Sequence, residues 1–245
     1  MSRERHSSVK RFGTLLVALV GLSLSQGWAQ ADSFVFLTPG GSTDSKGDPV
    51  DANAVFTTSN GTLHIQLTNL LVNQKDVGQN ISDISWHVAS GLSSGSLTSS
   101  SGLERTVAKG GTFKDGSVVS TGWALTPGST WELTGLAGAA DQPAHTILGS
   151  PSGSKYSNAN GSIAGNGPHN PFLAGTVSFD IAITGLTASD RIDSATFSFG
   201  TTAGDDVKGR LDPTPEPSAL LLLGGMFSGL GIIGCYRRYA GRVAP

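Results

Sequence analysis

Thr176-Val-Ser-Phe-Asp-Ile-Ala-Ile183 decides the fold. Val177, Phe179, Ile181 and Ile183 fall in one phase, and Thr176, Ser178, Asp180 and Ala182 in the other. A period of two sends successive side chains to opposite faces of a pleated strand. The stretch therefore predicts a strand with one face in a core and the other toward water. The same alternation recurs outward from it. Leu63, Ile65 and Leu67 alternate with Thr62, His64, Gln66 and Thr68. Ile84, Trp86 and Val88 keep the phase, as do Ala195, Phe197 and Phe199, and a short first strand carries Phe34 and Phe36. Weaker strands are expected around Val118-Val119, Trp123–Leu125 and Trp131–Leu133.

No stretch between residues 32 and 212 sustains a 3.6-residue period. The expected class is all-β, an antiparallel β-sandwich (jelly-roll or Ig-like) of about eight to ten strands. The runs at 176–183 and 195–199 are expected to form a hairpin-like pair, loosely connected through a link of roughly nine residues. Residues 137–171 lose the pattern to Gly, Pro, Ser and Asn, and predict a long surface loop with a short strand or helical turn at His145–Leu148. Charges and prolines at 205–214 read as a linker, which leaves residues 32–204 as the domain.

Composition supports this class. Gly contributes 34 of 245 residues, and hydrophobic residues only 38%, which suits short strands joined by turns. The formal net charge of −2 conceals a split. Arg3, Arg5, Lys10 and Arg11 lie in the first segment and Arg237, Arg238 and Arg242 in the last, leaving 9 basic against 16 acidic residues between 32 and 214. An acidic domain argues against a nucleic-acid partner, since phosphate binding needs a basic face. The only cysteine is Cys235, so the domain must hold by packing and sheet hydrogen bonds, without a disulfide or a Cys metal knot.

The ends carry an address. Residues 1–31 read as a secretory signal peptide handled by the Sec translocon and signal peptidase: a basic start ending at Arg11, an apolar run from Phe12 to Leu24, and the small-x-small site Ala29-Gln30-Ala31. At the other end, Pro215-Glu216-Pro217 precedes an uncharged run from Ala219 to Tyr236 and then Arg237-Arg238. That run, 18 residues, is about 27 Å long as a helix, enough for a transmembrane span. The Arg pair acts as a stop-transfer signal and sets the C-terminus in the cytoplasm.

Together, Pro215-Glu216-Pro217, the glycine-bearing apolar helix and the arginine cluster resemble the PEP-CTERM sorting signal, here spanning 215–242. Pro168-His-Asn-Pro-Phe172 and Ala195-Thr-Phe-Ser-Phe-Gly-Thr201 also resemble domains that commonly precede this tail. The resemblance implies a Gram-negative bacterium that makes exopolysaccharide. It also implies processing by exosortase, a membrane transpeptidase-like enzyme, with cleavage near the Pro-Glu-Pro motif. The product would be released or attached at the cell surface, in a structural or adhesive role associated with exopolysaccharide. A carbohydrate-binding module is the alternative, with contacts on the 137–171 loop or an exposed sheet face; a secreted hydrolase stands third.

Within the domain no catalytic residue, metal or cofactor is assigned, and the chain is not expected to be an enzyme. Gly91-Leu-Ser93-Ser-Gly95 matches GxSxG, but a nucleophile elbow needs a following helix and none can be read there. Glu104 and Glu132 are the only glutamates of the domain, and a glycosidase would need them at a set separation. Asp44, Asp48 and Asp51, with Asp205-Asp206, form clusters of the kind that bind Ca²⁺, but lack EF-hand spacing and read as turn formers. His64, His87, His145 and His169 show no metal-ligand spacing and read as surface residues. Trp86, Trp123 and Trp131 would make a sugar-stacking platform if exposed, although Trp86 shares the inward phase of its strand.

Mass spectrometry of the exported chain is expected to find Asp32 as the mature N-terminus, and Ala31→Tyr to leave the leader attached. A wild-type exported chain still carrying residues 1–31 would contradict this assignment.

Overall fold

The computed structural model describes residues 32–202 and 204–212. Among them there is no α-helix, and the chain is all-β. Thirteen strands follow in order: β1 Asp32–Leu37, β2 Ala52–Ser59, β3 Thr62–Asn69, β4 Ile81–Val88, β5 Gly95–Val107, β6 Phe113–Val119, β7 Ala124–Thr126, β8 Trp131–Thr134, β9 Ile147–Leu148, β10 Phe172–Ile183, β11 Ile192–Phe199, β12 Asp206–Lys208 and β13 Arg210–Asp212. A single 3₁₀ turn, Val77–Gln79, precedes β4.

The pairings make two arms of one mixed, open sheet. One arm runs β6-β5-β10-β3-β2-β1-β13, and the other gathers β12, β11, β4, β8 and β7. The two-residue β9 joins them, pairing parallel to β10 and antiparallel to β4. All other strand pairings are antiparallel.

The period-two stretch behaves as its residues dictate. Val177, Phe179, Ile181 and Ile183 are buried, whereas Thr176 is exposed and Ser178, Asp180 and Ala182 are half-buried. Leu63, Ile65 and Leu67 of β3 and Ile84, Trp86 and Val88 of β4 turn inward in the same way. Residues of both arms share one core cluster, in which Phe36, Phe56, Trp86 and Trp131 succeed one another at ring separations of 5.8, 5.8 and 6.0 Å. Those contacts cross from β1 and β2 to β4 and β8, and so tie the arms together through apolar burial rather than covalently.

Three sequence expectations need correction. The runs at 176–183 and 195–199 do not pair with each other. Both edges of β10 are occupied, by β3 and β5, while β11 lies between β4 and β12. The link between them crosses from one arm to the other, fastened where the Gly61 amide donates to the Leu186 carbonyl and the Ala89 amide to the Arg191 carbonyl. Next, residues 206–212 are sheet rather than linker: β12 pairs β11, and β13 pairs β1. These strands are short and mostly exposed, so backbone pairing, not an apolar face, holds them. Their charges suit sheet edges, where they discourage a further strand from adding. Finally, the strands number more than eight to ten. β2 places Ala52, Ala54, Phe56 and Thr58 inward, a phase written mostly in small residues. β5 is rich in Ser and Thr, with only Gly102 and Val107 buried, so no apolar alternation announces it.

The 137–171 excursion is not a free loop. Leu148, Tyr156 and Ile163 from it join Val77, Val107 and Phe172 in a second, smaller core. Arg105 clamps this layer, forming a two-point ion pair with Asp115 (2.6 and 2.9 Å) while its third nitrogen donates to the Tyr156 hydroxyl at 2.9 Å. The Tyr156 hydroxyl in turn donates to the Gly149 carbonyl at 2.6 Å. At Gly102 a Cβ would meet Val177 Cγ1 at 2.9 Å and Leu173 Cδ2 at 3.0 Å, so any side chain there would displace these methyls as β5 passes the β-bulge of β10.

Phe179→Ala is expected to cost about 3–5 kcal/mol of stability in urea denaturation, because the ring is fully buried against Trp123. Val118→Ala, at an exposed position of the edge strand β6, is expected to stay within about 0.5 kcal/mol.

Candidate functional site

Among the described residues, three carboxylates gather where the loop after β1 meets the turn before β4. The loop is drawn in by a bridge between Thr43 and Pro49, and the Asp44 amide donates to the Asp48 carbonyl at 2.8 Å. Asp44 Oδ1 accepts from the amides of Lys46 (3.0 Å) and Asp48 (2.8 Å). This is the turn-forming role its sequence context predicts. Its other oxygen behaves differently. Asp44 is only 5% exposed, and Oδ2 is buried without a hydrogen-bond partner among the described residues.

Asp76 faces it from the second segment. Asp76 caps the 3₁₀ turn, accepting from the Gly78 amide at 2.7 Å, and Gln79 returns the contact to the Asp76 amide, a capping box. Ligand oxygens of Asp44, Asp48 and Asp76 all lie within 4.8 Å of one another. Two lysines partly balance them. Lys75 Nζ contacts both Asp48 oxygens at 3.0 Å, and Lys46 Nζ lies 3.6 Å from Asp76 Oδ2. The Asp48 carboxylate accordingly holds the Lys75 ammonium above its ordinary pKa. Asp205 closes the far side of the loop, its Oδ2 accepting from the amide and hydroxyl of Ser45 at 3.0 and 2.9 Å.

Thus the acidic residues flagged in the sequence are redistributed. Asp44 and Asp48 come together with Asp76, which sequence reading passed over; the capping-box pattern Asp76-Val-Gly-Gln79 was its only signal. Asp51 instead accepts from Thr38 Oγ1 at 3.2 Å, and Asp206 from Ser198.

A second acidic row crosses three strands. Ser198 of β11 stands opposite Asp83 of β4 on one side and Asp206 of β12 on the other. Asp83 is 6% exposed. Burial pushes its carboxyl up to about 6, the nearby Ser198 hydroxyl opposing the rise and the Glu132 and Asp206 charges adding to it.

The remaining candidates take structural positions. Gly91-Leu-Ser93-Ser-Gly95 turns from β4 into β5, strand to strand, with Gly91 at φ 75°; it has no elbow helix. Glu104 Oε1 lies 3.2 Å from His145 Nε2, and Glu132 neighbours Asp83 instead. His145 departs from the expectation of a surface residue. It is buried at φ 59°, with Nδ1 donating to the Thr121 carbonyl at 2.9 Å, and it fastens the 137–171 excursion to β5. His64 and His87 are half-exposed as expected, paired with Asp180 at 2.7 Å and Asp193 at 2.9 Å. Asp180 also accepts from Ser99 Oγ at 2.6 Å. The carboxylate thus stands between the hydroxyl and the imidazole, whereas a nucleophilic triad needs the imidazole in the middle. The Ser99 and His64 hydrogen bonds hold the Asp180 carboxyl below its ordinary range.

All three domain tryptophans are buried, so they form no sugar platform. Trp123 and Trp131 donate their ring N–H groups to the His145 and Leu92 carbonyls at 2.9 and 2.8 Å. Ala29 and Ala31, Pro215, Glu216 and Pro217, the apolar run and Arg237-Arg238 lie outside the described residues. Among the described residues no helix is long and apolar enough to cross a membrane. Compared with protein-family models, curated proteins and solved structures, the chain matches none of them.

The raised Asp83 pKa carries a pH dependence. Between pH 3.8 and about 6 the folded chain binds more protons at this carboxyl than the unfolded chain, so its contribution becomes less favourable as pH rises through that window. Asp83→Asn is expected to stabilise the fold above pH 6 by up to about 3 kcal/mol, and to make little difference below pH 4. Urea denaturation at the two pH values measures it; equal effects at both would show that ionisation of Asp83 is not the cause.

Proposed function

We propose that this chain is an exported, exosortase-sorted envelope or extracellular-matrix protein of a Gram-negative bacterium. It acts structurally or adhesively in association with exopolysaccharide, not as an enzyme. In this reading the signal peptide takes the chain through the inner membrane. The apolar run from Ala219 to Tyr236 anchors it briefly with its C-terminus in the cytoplasm, and exosortase cuts near Pro215-Glu216-Pro217. The two arms of the sheet are the faces of a sandwich around the shared core.

The observation that carries this reading is the tripartite C-terminal pattern of Pro215-Glu216-Pro217, apolar run and Arg237-Arg238 in a chain that also carries the leader pattern at 1–31. An enzyme acting at the membrane surface needs an extended, accessible substrate, and the prolines keep the motif out of helix and central strand. Burial of Trp86, Trp123 and Trp131, and the packing of the 137–171 excursion into its own core, favour a scaffold over a carbohydrate-binding module.

Mass spectrometry of the mature C-terminus tests the reading. Cleavage near Pro215-Glu216-Pro217 is expected, with loss of Cys235 and the Arg pair, and Glu216→Ala is expected to leave uncut chain in the membrane fraction. An intact Arg237-Arg238 end on all mature protein would overturn the sorting step.

A further inference from the structure

We propose that Asp44, Asp48 and Asp76 form a Ca²⁺ site in which Lys46 and Lys75 act as exchangeable stand-ins for the ion. Two independent observations converge on it. The first is the triad of carboxylates, with ligand oxygens mutually within 4.8 Å. The second is Asp44 Oδ2, a buried carboxylate oxygen without a hydrogen-bond donor among the described residues, on a side chain whose residue is only 5% exposed. Desolvating such an oxygen is costly unless a donor or cation meets it.

Oδ2 is aimed into the cluster. A Cβ placed on Gly78 would lie 3.0 Å from Asp44 Oδ2, 2.7 Å from Asp76 Oδ1 and 3.6 Å from Lys46 Nζ. Two carboxylates and one ammonium therefore converge over Gly78, an approach that a side chain at this position would obstruct.

The lysines neutralise the site loosely. Their side chains are 63% and 51% exposed, so each ammonium can swing into water at small cost. The Lys46 contact is long, at 3.6 Å, and neither lysine forms an ion pair with Asp44. Three carboxylates against two ammoniums leave one negative charge uncompensated. A divalent cation entering as the lysines leave would satisfy Asp44 Oδ2 and bridge all three acids.

The donor chemistry selects the ion. The set is all oxygen, with no imidazole or thiolate, which disfavours zinc. The carboxylates sit on a loop and a short turn, whose adaptable geometry suits Ca²⁺ over the strict octahedron of Mg²⁺. Three carboxylates offer up to six oxygens, and water completes a shell of six to eight. Binding would lock the β1–β2 loop to the turn before β4, a junction that Gln79 already bridges by donating to the Pro49 carbonyl at 2.8 Å. This inference rests on the cluster alone and is independent of how the chain is sorted.

Isothermal titration of the full-length chain in detergent micelles, stripped with EGTA and titrated with CaCl₂, tests it, with thermal unfolding in parallel. A Kd of roughly 10⁻⁴–10⁻³ M is expected, with a raised Tm and MgCl₂ at least about tenfold weaker. Asp44→Asn should weaken Ca²⁺ about tenfold or more. If that variant does not fold, Asp48→Asn, which gives up only the Lys75 ion pair, serves the same purpose. Lys46→Gln should strengthen Ca²⁺ binding several-fold, because it removes the competing ammonium, an effect a purely salt-bridged cluster would not produce. The absence of both binding heat and a Tm shift up to about 10 mM CaCl₂ would overturn the proposal. So would unchanged affinity in Lys46→Gln together with whichever Asp variant folds.

Discussion

Phe36, Phe56, Trp86 and Trp131 form a continuous aromatic file through the core, and the rest of the architecture depends on it. In the strand ladders the two arms of the sheet share only a two-residue strand, β9. With no disulfide available, β9 alone could not hold two arms of such size in register. Large aromatic rings bury the most surface per residue and prefer offset or edge contacts, which interlock neighbouring strands. The cost of concentrating so much area in indoles appears at Trp86, whose ring N–H is buried without an acceptor among the described residues. Trp123 and Trp131, nearer the loops, each find a backbone carbonyl.

Legibility in the sequence follows how each strand is held. Where a strand has one buried face, as at Leu63–Leu67, Ile84–Val88 and Val177–Ile183, alternation announces both the strand and its inward residues. Where a strand is held by backbone pairing, the sequence is silent. β5 looks like a Ser/Thr-rich loop, and β12 and β13 look like a charged linker. Partner choice was also hidden. β10 and β11 carry the clearest patterns and sit close in sequence, yet each finds its neighbours elsewhere, because pairing is settled by which edges remain free.

The acidic cluster was half legible. Asp44 and Asp48 stand in one turn and draw attention by spacing, but Asp76 reaches them only through the fold. Its separation from Asp48, across β2 and β3, conceals the relation. The burial of His145 is hidden from the sequence for a similar reason. A lone histidine in a Gly/Pro-rich stretch looks solvated, and only the closing of the 137–171 excursion over β5 places it between the Thr121 carbonyl and Glu104.

The pairing of β1 with β13 has a consequence for the order of assembly. Val35 stands opposite Asp212 and Leu37 opposite Arg210, so the first strand of the domain receives its outer neighbour from the last. In a chain that emerges N-terminus first, β2 satisfies the inner edge of β1 early, while its outer edge waits for nearly the whole domain to arrive. Pairings so distant in sequence form late, because a long loop must close before they are rewarded. The sheet therefore gains its finishing strand only when the residues just before Pro215-Glu216-Pro217 have emerged. Closure of the sheet is thus timed by the last of its own strands, and a chain truncated or stalled upstream would expose an unfinished edge.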